Sequence, residues 1–103
     1  MPTYTSKALF RGAASTTTTT TLYTVPSSTT TVVTDIVVTN TAGSAGTFTM
    51  SLDDVKIAEQ VTVAANDSTV IQIKQVLATA KTIKGGASAT TINFHISGVE
   101  ITA

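Results

Sequence analysis

Apolar and polar residues alternate along most of this chain with a period of two, not 3.6. Residues 47–52 show it most cleanly, with Phe48, Met50 and Leu52 on one side and Thr47, Thr49 and Ser51 on the other. That is the pattern of a half-buried strand. Residues 30–40 are apolar on both sides: Val32, Ile36 and Val38 fall on the even side with Thr34, Val33 and Val37 on the odd side with Asp35 and Thr39. Asp35 marks the odd side as the one for solvent or a partner, which leaves the even side for the core. Val55 and Ile57, then Val61 and Val63, outline a further strand interrupted at residues 58–60. Residues 68–74 return as a strand around Val70, Ile71 and Ile73, and residues 82–84 form a short one.

The last strand, residues 90–101, carries a change of phase. Ile92, Phe94 and Ile96 share one face, and Thr91, Asn93, His95 and Ser97 the other; after Gly98 the apolar residues are Val99 and Ile101. A bulge at Ser97–Gly98 would return Val99 and Ile101 to the core side. A straight strand would instead leave them on the opposite face, as a contact patch for a second subunit. The expected core is Val32, Ile36, Val38, Phe48, Met50, Leu52, Ile71, Ile73, Ile92, Phe94 and Ile96.

Turn chemistry separates these runs at residues 26–28, 41–46, Asp53–Asp54, 64–67 and Gly85–Gly86. A single helical turn is expected within residues 76–81. The six threonines of residues 16–21 are β-branched throughout and can extend the strand that Leu22 to Val25 continues and Pro26 ends. Ala8, Leu9 and Phe10 form an apolar cluster beside Arg11 and Gly12. The chain therefore divides into residues 1–15, an N-terminal arm or first strand, and residues 16–103, a single sandwich domain. About seven or eight short strands, with turns roughly every 8–12 residues, predict an antiparallel β-sandwich or a small barrel, the sandwich being the first reading.

Composition agrees. Of 103 residues, 24 are Thr and 43 are β-branched, whereas Leu occurs four times. Such side chains are stiff and suit a pleated sheet, so the class is all-β. Only 12% of the residues are charged, about half the usual share. A surface of hydroxyls and methyls is poorly defended against association and suits a protein packed against others. Six basic residues balance six acidic ones, so no basic face for nucleic acid is expected. The absence of Cys excludes thiol catalysis, zinc ribbons and disulfide frameworks. No apolar run is long enough to span a membrane, and MPTYTSKALFRG lacks the apolar core of a signal peptide, so neither membrane nor secretion is expected.

No catalytic set emerges. His95 has no Ser or Cys partner at a motif spacing and reads as a surface or interface residue. Asp53 and Asp54 point apart at a turn, which disfavours a Ca²⁺ site. Gly85–Gly86 lacks the helix and Lys of a phosphate loop. Asn66–Asp67–Ser68 fits the glycosylation pattern without a secretory route. Lys74, Lys81 and Lys84 read as blocks to sheet-to-sheet pairing. Catalytic residues, cofactors, metals and a small-molecule substrate are accordingly not expected.

Two motifs stand out together: LYTVP at residues 22–26 and HISGVEI at residues 95–101. With the Val/Ile-rich run ending in Asn40–Thr41, the alternating strand to Leu52 and the Leu77-containing turn before Ile83, they resemble a group of small all-β virion proteins of tailed bacteriophages. Where that pattern has Gly-Asp before the short Ile strand, this chain has Ala80–Lys81; residues 1–21 fall outside it. The resemblance implies an immunoglobulin-like or jelly-roll sandwich in a non-enzymatic virion protein assembled in the host cytoplasm. Its partners would be the major capsid protein, other virion proteins and further copies of itself. Capsid decoration (cement) is the first role it suggests; a tail, neck, baseplate or fibre component is the alternative. A carbohydrate-binding or adhesive module is poorly served by a chain without Trp and with only Tyr4 and Tyr23. Interface residues expected from these readings are Leu9, Phe10 and Arg11 in the arm, Val33 and Val37 on the odd side of residues 30–40, and His95.

Overall fold

Asp53 and Asp54 both take positive φ, 53° and 59°, the conformation of a two-residue hairpin turn of type I′. Everything else is nested around that turn. The computed structural model describes residues 2–102. Met1 and Ala103, the outermost residues of the two expected segments, lie outside the described residues. The strands are β1 (Thr3–Ala13), β2 (Thr21–Thr24), β3 (Thr29–Asn40), β4 (Gly46–Leu52), β5 (Val55–Val63), β6 (Ser68–Leu77), β7 (Thr82–Ala87) and β8 (Ile92–Thr102). β4 pairs with β5, β3 with β6, β2 with β7 and β1 with β8, all antiparallel. The chain is thus one long hairpin. Rolled up, it gains the pairs β3·β8 and β4·β7. The result is two four-stranded sheets, A in the order β1-β8-β3-β6 and B in the order β2-β7-β4-β5. This is the jelly-roll form of the β-sandwich, not the immunoglobulin-like one.

The core lies between the sheets. Phe48 from sheet B and Phe94 from sheet A meet edge to face, their centroids 6.1 Å apart and their planes at 68°, a favoured aromatic geometry. Ile36, Val38, Met50, Leu52, Ile92 and Ile96 are buried around them, as the alternation predicts; Ile71 and Ile73 are half-buried against the same core. Val32 is not part of it. β3 buries Thr29, Thr31 and Val33, then Ile36, Val38 and Asn40. The inward side changes parity at Thr34, an extra residue opposite the straight run Gly98–Ser97 of β8.

The phase change near Gly98 is resolved in the same way. β8 does not bulge: Gly98 faces inward, in line with Phe94 and Ile96, and Val99 and Ile101 face outward, half-buried. The extra residues sit in its neighbours, Thr34 in β3 and Leu9 in β1. Gly98 has no positive φ. It is glycine because a Cβ there would lie 2.5 Å from the Val32 carbonyl oxygen and 2.8 Å from Leu9 Cδ1.

Three further expectations change. The threonine run extends no strand before Thr21; residues 14–20 carry the chain from sheet A to sheet B, and β7 holds them through Ala87 N–H to Ser15 O (2.8 Å) and Gly85 N–H to Thr20 O (3.0 Å). Gly85–Gly86 is accordingly strand, not turn, and a Cβ on Gly86 would overlap the Thr17 carbonyl. Val76 and Leu77 complete β6 instead of entering a helical turn. The Ala78–Lys81 turn that follows is closed by Lys81 N–H to Ala78 O (3.1 Å) and holds Ala80 at φ 71°, a place better suited to glycine.

Candidate functional site

Cross-strand pairing sorts the outward side chains of sheet A into rows. One row reads Arg11, His95, Val37, Val70 across β1, β8, β3 and β6. The next reads Ala8, Ser97, Asp35, Gln72, and the next Ser6, Val99, Val32, Val76; Tyr4, Ile101 and Thr30 follow. Val70, Val76 and Tyr4 are more than half exposed. The face is thus mostly apolar and hydroxylic, with a single histidine and few charges.

Three of the sequence-predicted interface residues, Arg11, Val37 and His95, come together in one row on this face. The other three do not. Leu9 and Val33 are buried, and Phe10 is half-buried against the core. Leu9 is the extra residue of β1 and so turns inward beside Gly98. Val33 lies before the parity change in β3 and so shares the inner face with Thr31. Residues 3–13 are the edge strand of sheet A along its full length.

The two distinctive motifs meet at one end of the sandwich. Tyr23 of LYTVP donates its phenol to Glu100 of HISGVEI at 2.5 Å and lies 2.8 Å from the Thr31 hydroxyl; Lys7 reaches the other Glu100 oxygen at 3.4 Å. Burial, then the Glu100 carboxylate, pushes the Tyr23 phenol up to about 12, because both disfavour the phenolate. Tyr23 belongs to sheet B and the other three to sheet A, so the cluster clasps the sheets together. Sequence reading gave no hint of it, since Tyr23 and Glu100 are 77 positions apart.

At the hairpin tip Lys84 pairs with Asp54 at 2.7 Å and Lys81 with Asp53 at 3.5 Å. Lys84 holds the Asp54 carboxyl below its usual value. Lys84 lies on an inner strand, so it blocks no sheet edge; of the three lysines only Lys74 sits on one.

Hollows mark the surface among the described residues. A cleft of about 550 Å³ opens where the β3·β6 ladder is irregular, lined by Thr34, Asp35, Gln72, Ile73 and Lys74. A smaller one, about 230 Å³, lies beside the threonine loop and is walled by Thr16, Thr18, Thr47 and Thr49 with Glu59 and Gln60. Among the described residues no three His, Asp or Glu side chains are grouped to hold a metal ion, and no buried side-chain polar atom lacks a partner.

No family model and no curated protein matches the chain in sequence. Its fold has relatives among viral capsid structures. A chain in the acidic stable capsid structure of Helicobacter pylori bacteriophage KHP30 is similar with a TM-score of 0.57 at 10% identity, over 98% of this chain and 93% of that one. A chain of the IBDV viral particle gives 0.58 at 9% identity, over 97% of this chain and 30% of that one. Another, from the infectious bursal disease virus Gx strain, gives 0.53 at 12%, over 98% and 32%. At these identities the likeness is one of fold. This chain spans about a third of the IBDV chains but nearly the whole of the phage chain.

Proposed function

We propose that this chain is a non-enzymatic structural protein of a phage virion, seated on the capsid as a decoration, or cement, protein. The observation that carries the reading is the jelly-roll matched end to end, in both directions, with a chain of similar length from a phage capsid. The weakly charged outer face of sheet A supports it, and so does the resemblance of LYTVP and HISGVEI to small phage virion proteins. On this reading Arg11, Val37 and His95, with Val32, Val99 and Ile101 beside them, face the major capsid protein. Many copies, each weakly bound, would hold the shell together because linked contacts multiply avidity.

Quantitative mass spectrometry of purified DNA-filled heads tests the reading. Decoration requires copies in fixed proportion to the major capsid protein. A few copies per particle would assign the chain to tail, neck, baseplate or fibre instead, and absence from particles would end the virion reading. Arg11→Glu and His95→Asp variants that fold normally should be depleted from heads.

A further inference from the structure

Sheet A and sheet B present four edge strands, and three of them are defended against pairing with another chain. β2 is four residues long. β5 is broken by a positive φ of 48° at Gln60 and carries the Lys56–Glu59 ion pair. β1 carries Lys7 and Arg11 and the extra residue Leu9. Short length, bulges and charges are the usual means of blunting an edge. β6 is ten residues long; it has one extra residue against β3, at Ile73–Lys74, but its inward and outward sides keep their order through it, and it carries one charge, Lys74, while exposing Val70 and Val76 at 55% and 67%.

The order of side chains along β6 is nearly its own reverse. Outward positions read Val70, Gln72, Lys74, Val76, and the inward ones beside the centre are Ile71, Ile73 and Gln75. Two copies can pair antiparallel about a two-fold axis with both sandwiches on the same side only in registers that place even positions opposite even ones. Four such registers keep at least seven of the ten residues paired; centring on Ile71 sets Val70 against Gln72 and Ser68 against Lys74, with no pair of valines. Centring on Lys74 sets two lysines face to face, which is destabilising. Centring on Gln72 sets Val70 against Lys74. Centring on Ile73 sets Val70 against Val76, Gln72 against Lys74, and Ile73 against itself, and it uses every residue from Thr69 to Leu77. β-branched pairs in register are favourable cross-strand contacts.

Charge points to the same register. Four ion pairs engage Lys7, Lys56, Lys81 and Lys84; among the described residues Asp35 and Lys74 belong to none of them. Both line the cleft at the β3·β6 irregularity, together with Gln72 and Ile73 of the edge strand. In the Ile73-centred register the second copy's Lys74 lies opposite Gln72, whose partner on the other side is Asp35. The lysine of each copy therefore extends over the carboxylate-bearing cleft of the other, twice per dimer. The outward rows also join: Val99, Val32 and Val76 of one copy run on into Val70 and Val37 of the other.

We infer that β6 is a self-pairing edge, through which two copies of this chain join antiparallel about Ile73 to make sheet A continuous across eight strands. The pairing concerns the free chain and does not depend on the virion reading.

Disulfide trapping reads the register, and the chain has no native cysteine to confuse it. Residues directly opposite in an antiparallel pair lie within disulfide reach. Under mild oxidation Ile73→Cys should cross-link to itself. Val70→Cys and Val76→Cys should each stay uncross-linked alone and cross-link when mixed; both sites are exposed, so this arm stands even if Ile73→Cys folds poorly. Sedimentation of the wild-type chain should show a concentration-dependent dimer. Asp35→Lys or Lys74→Asp should weaken it about tenfold, since each affects two symmetry-related pairs, and the double exchange should restore it. A chain that stays monomeric at every concentration, or a dimer in which Val70→Cys links to itself and not to Val76→Cys, would overturn the inference.

Discussion

β1 and β6 close the same sheet on opposite sides, yet they are built for different neighbours. β1 is tied into its own domain: Leu9 reaches the core beside Gly98, and Lys7 reaches Glu100. β6 sends only Leu77 fully inside and turns outward two exposed valines and Lys74, which belongs to no ion pair among the described residues. Both are edges by hydrogen bonding. The lesson is that an edge is defined less by its free backbone groups than by whether its side chains are already engaged.

The largest effect should come from a change that ignores the difference. Phe94 sits on β8 against Phe48, and Phe94→Ala should cost about 3–5 kcal/mol in chemical denaturation, loosening both edges at once. Gly98→Val drives a side chain into the Val32 carbonyl and into Leu9; it should cost about 2–3 kcal/mol and weaken the β1 side more, seen as faster amide exchange in β1 than in β6. The contrast itself is sharpest in a matched pair. Leu9→Ala should cost about 2–3 kcal/mol, whereas Val76→Ala should change stability by less than about 0.5 kcal/mol and act on self-association instead. Equal losses at the two positions would erase the distinction.

Smaller effects lie away from the edges. Ala80→Gly relieves the positive φ in the turn that follows β6 and should raise stability by about 1 kcal/mol in a thermal melt. The last effect is confined to alkaline pH. Tyr23 holds its proton more tightly when folded, up to about 12, than in the unfolded chain, near 10. Its contribution is therefore complete below about pH 10 and is lost as the pH rises from there through 12. Tyr23→Phe should flatten that decline in a pH series of denaturation curves, and an unchanged slope would show that the clasp at the β1 end does not titrate.

Period-two alternation was enough to foresee the strands at residues 47–52 and 92–96, because each buries one face through its whole length. Phase breaks were not assignable. A slip visible in β8 is absorbed by extra residues in β1 and β3, and one strand read alone does not say which neighbour yields. In β3 the unseen change of parity exchanged Val32 for Val33 in the core, whereas Leu9 was misplaced because its apolar cluster reads equally as an arm docking on a neighbour. The threonine run was misread for another reason: β propensity yields to the need for a crossing between sheets. Gly85–Gly86 looked like a turn because the close approach of residues 15–17 is invisible in sequence. Of the six expected interface positions, the outward placement of Arg11, Val37 and His95 was legible because their strands keep phase there.

Nesting also fixes a sequence of events in time. Closing the Asp53–Asp54 turn brings near neighbours together, whereas joining Thr3 to Thr102 in an otherwise open chain would cost about 4 kcal/mol in loop entropy. Once β4·β5, β3·β6 and β2·β7 have zipped, the outermost pair has only a short connection left to close. Loop entropy thus favours an order that starts at the Asp53–Asp54 hairpin and finishes with the β1·β8 pair, and pairings this non-local are expected to form slowly. β1 leaves the ribosome before the other seven strands of the sandwich yet has to wait for β8, and so the order of assembly runs against the order of synthesis.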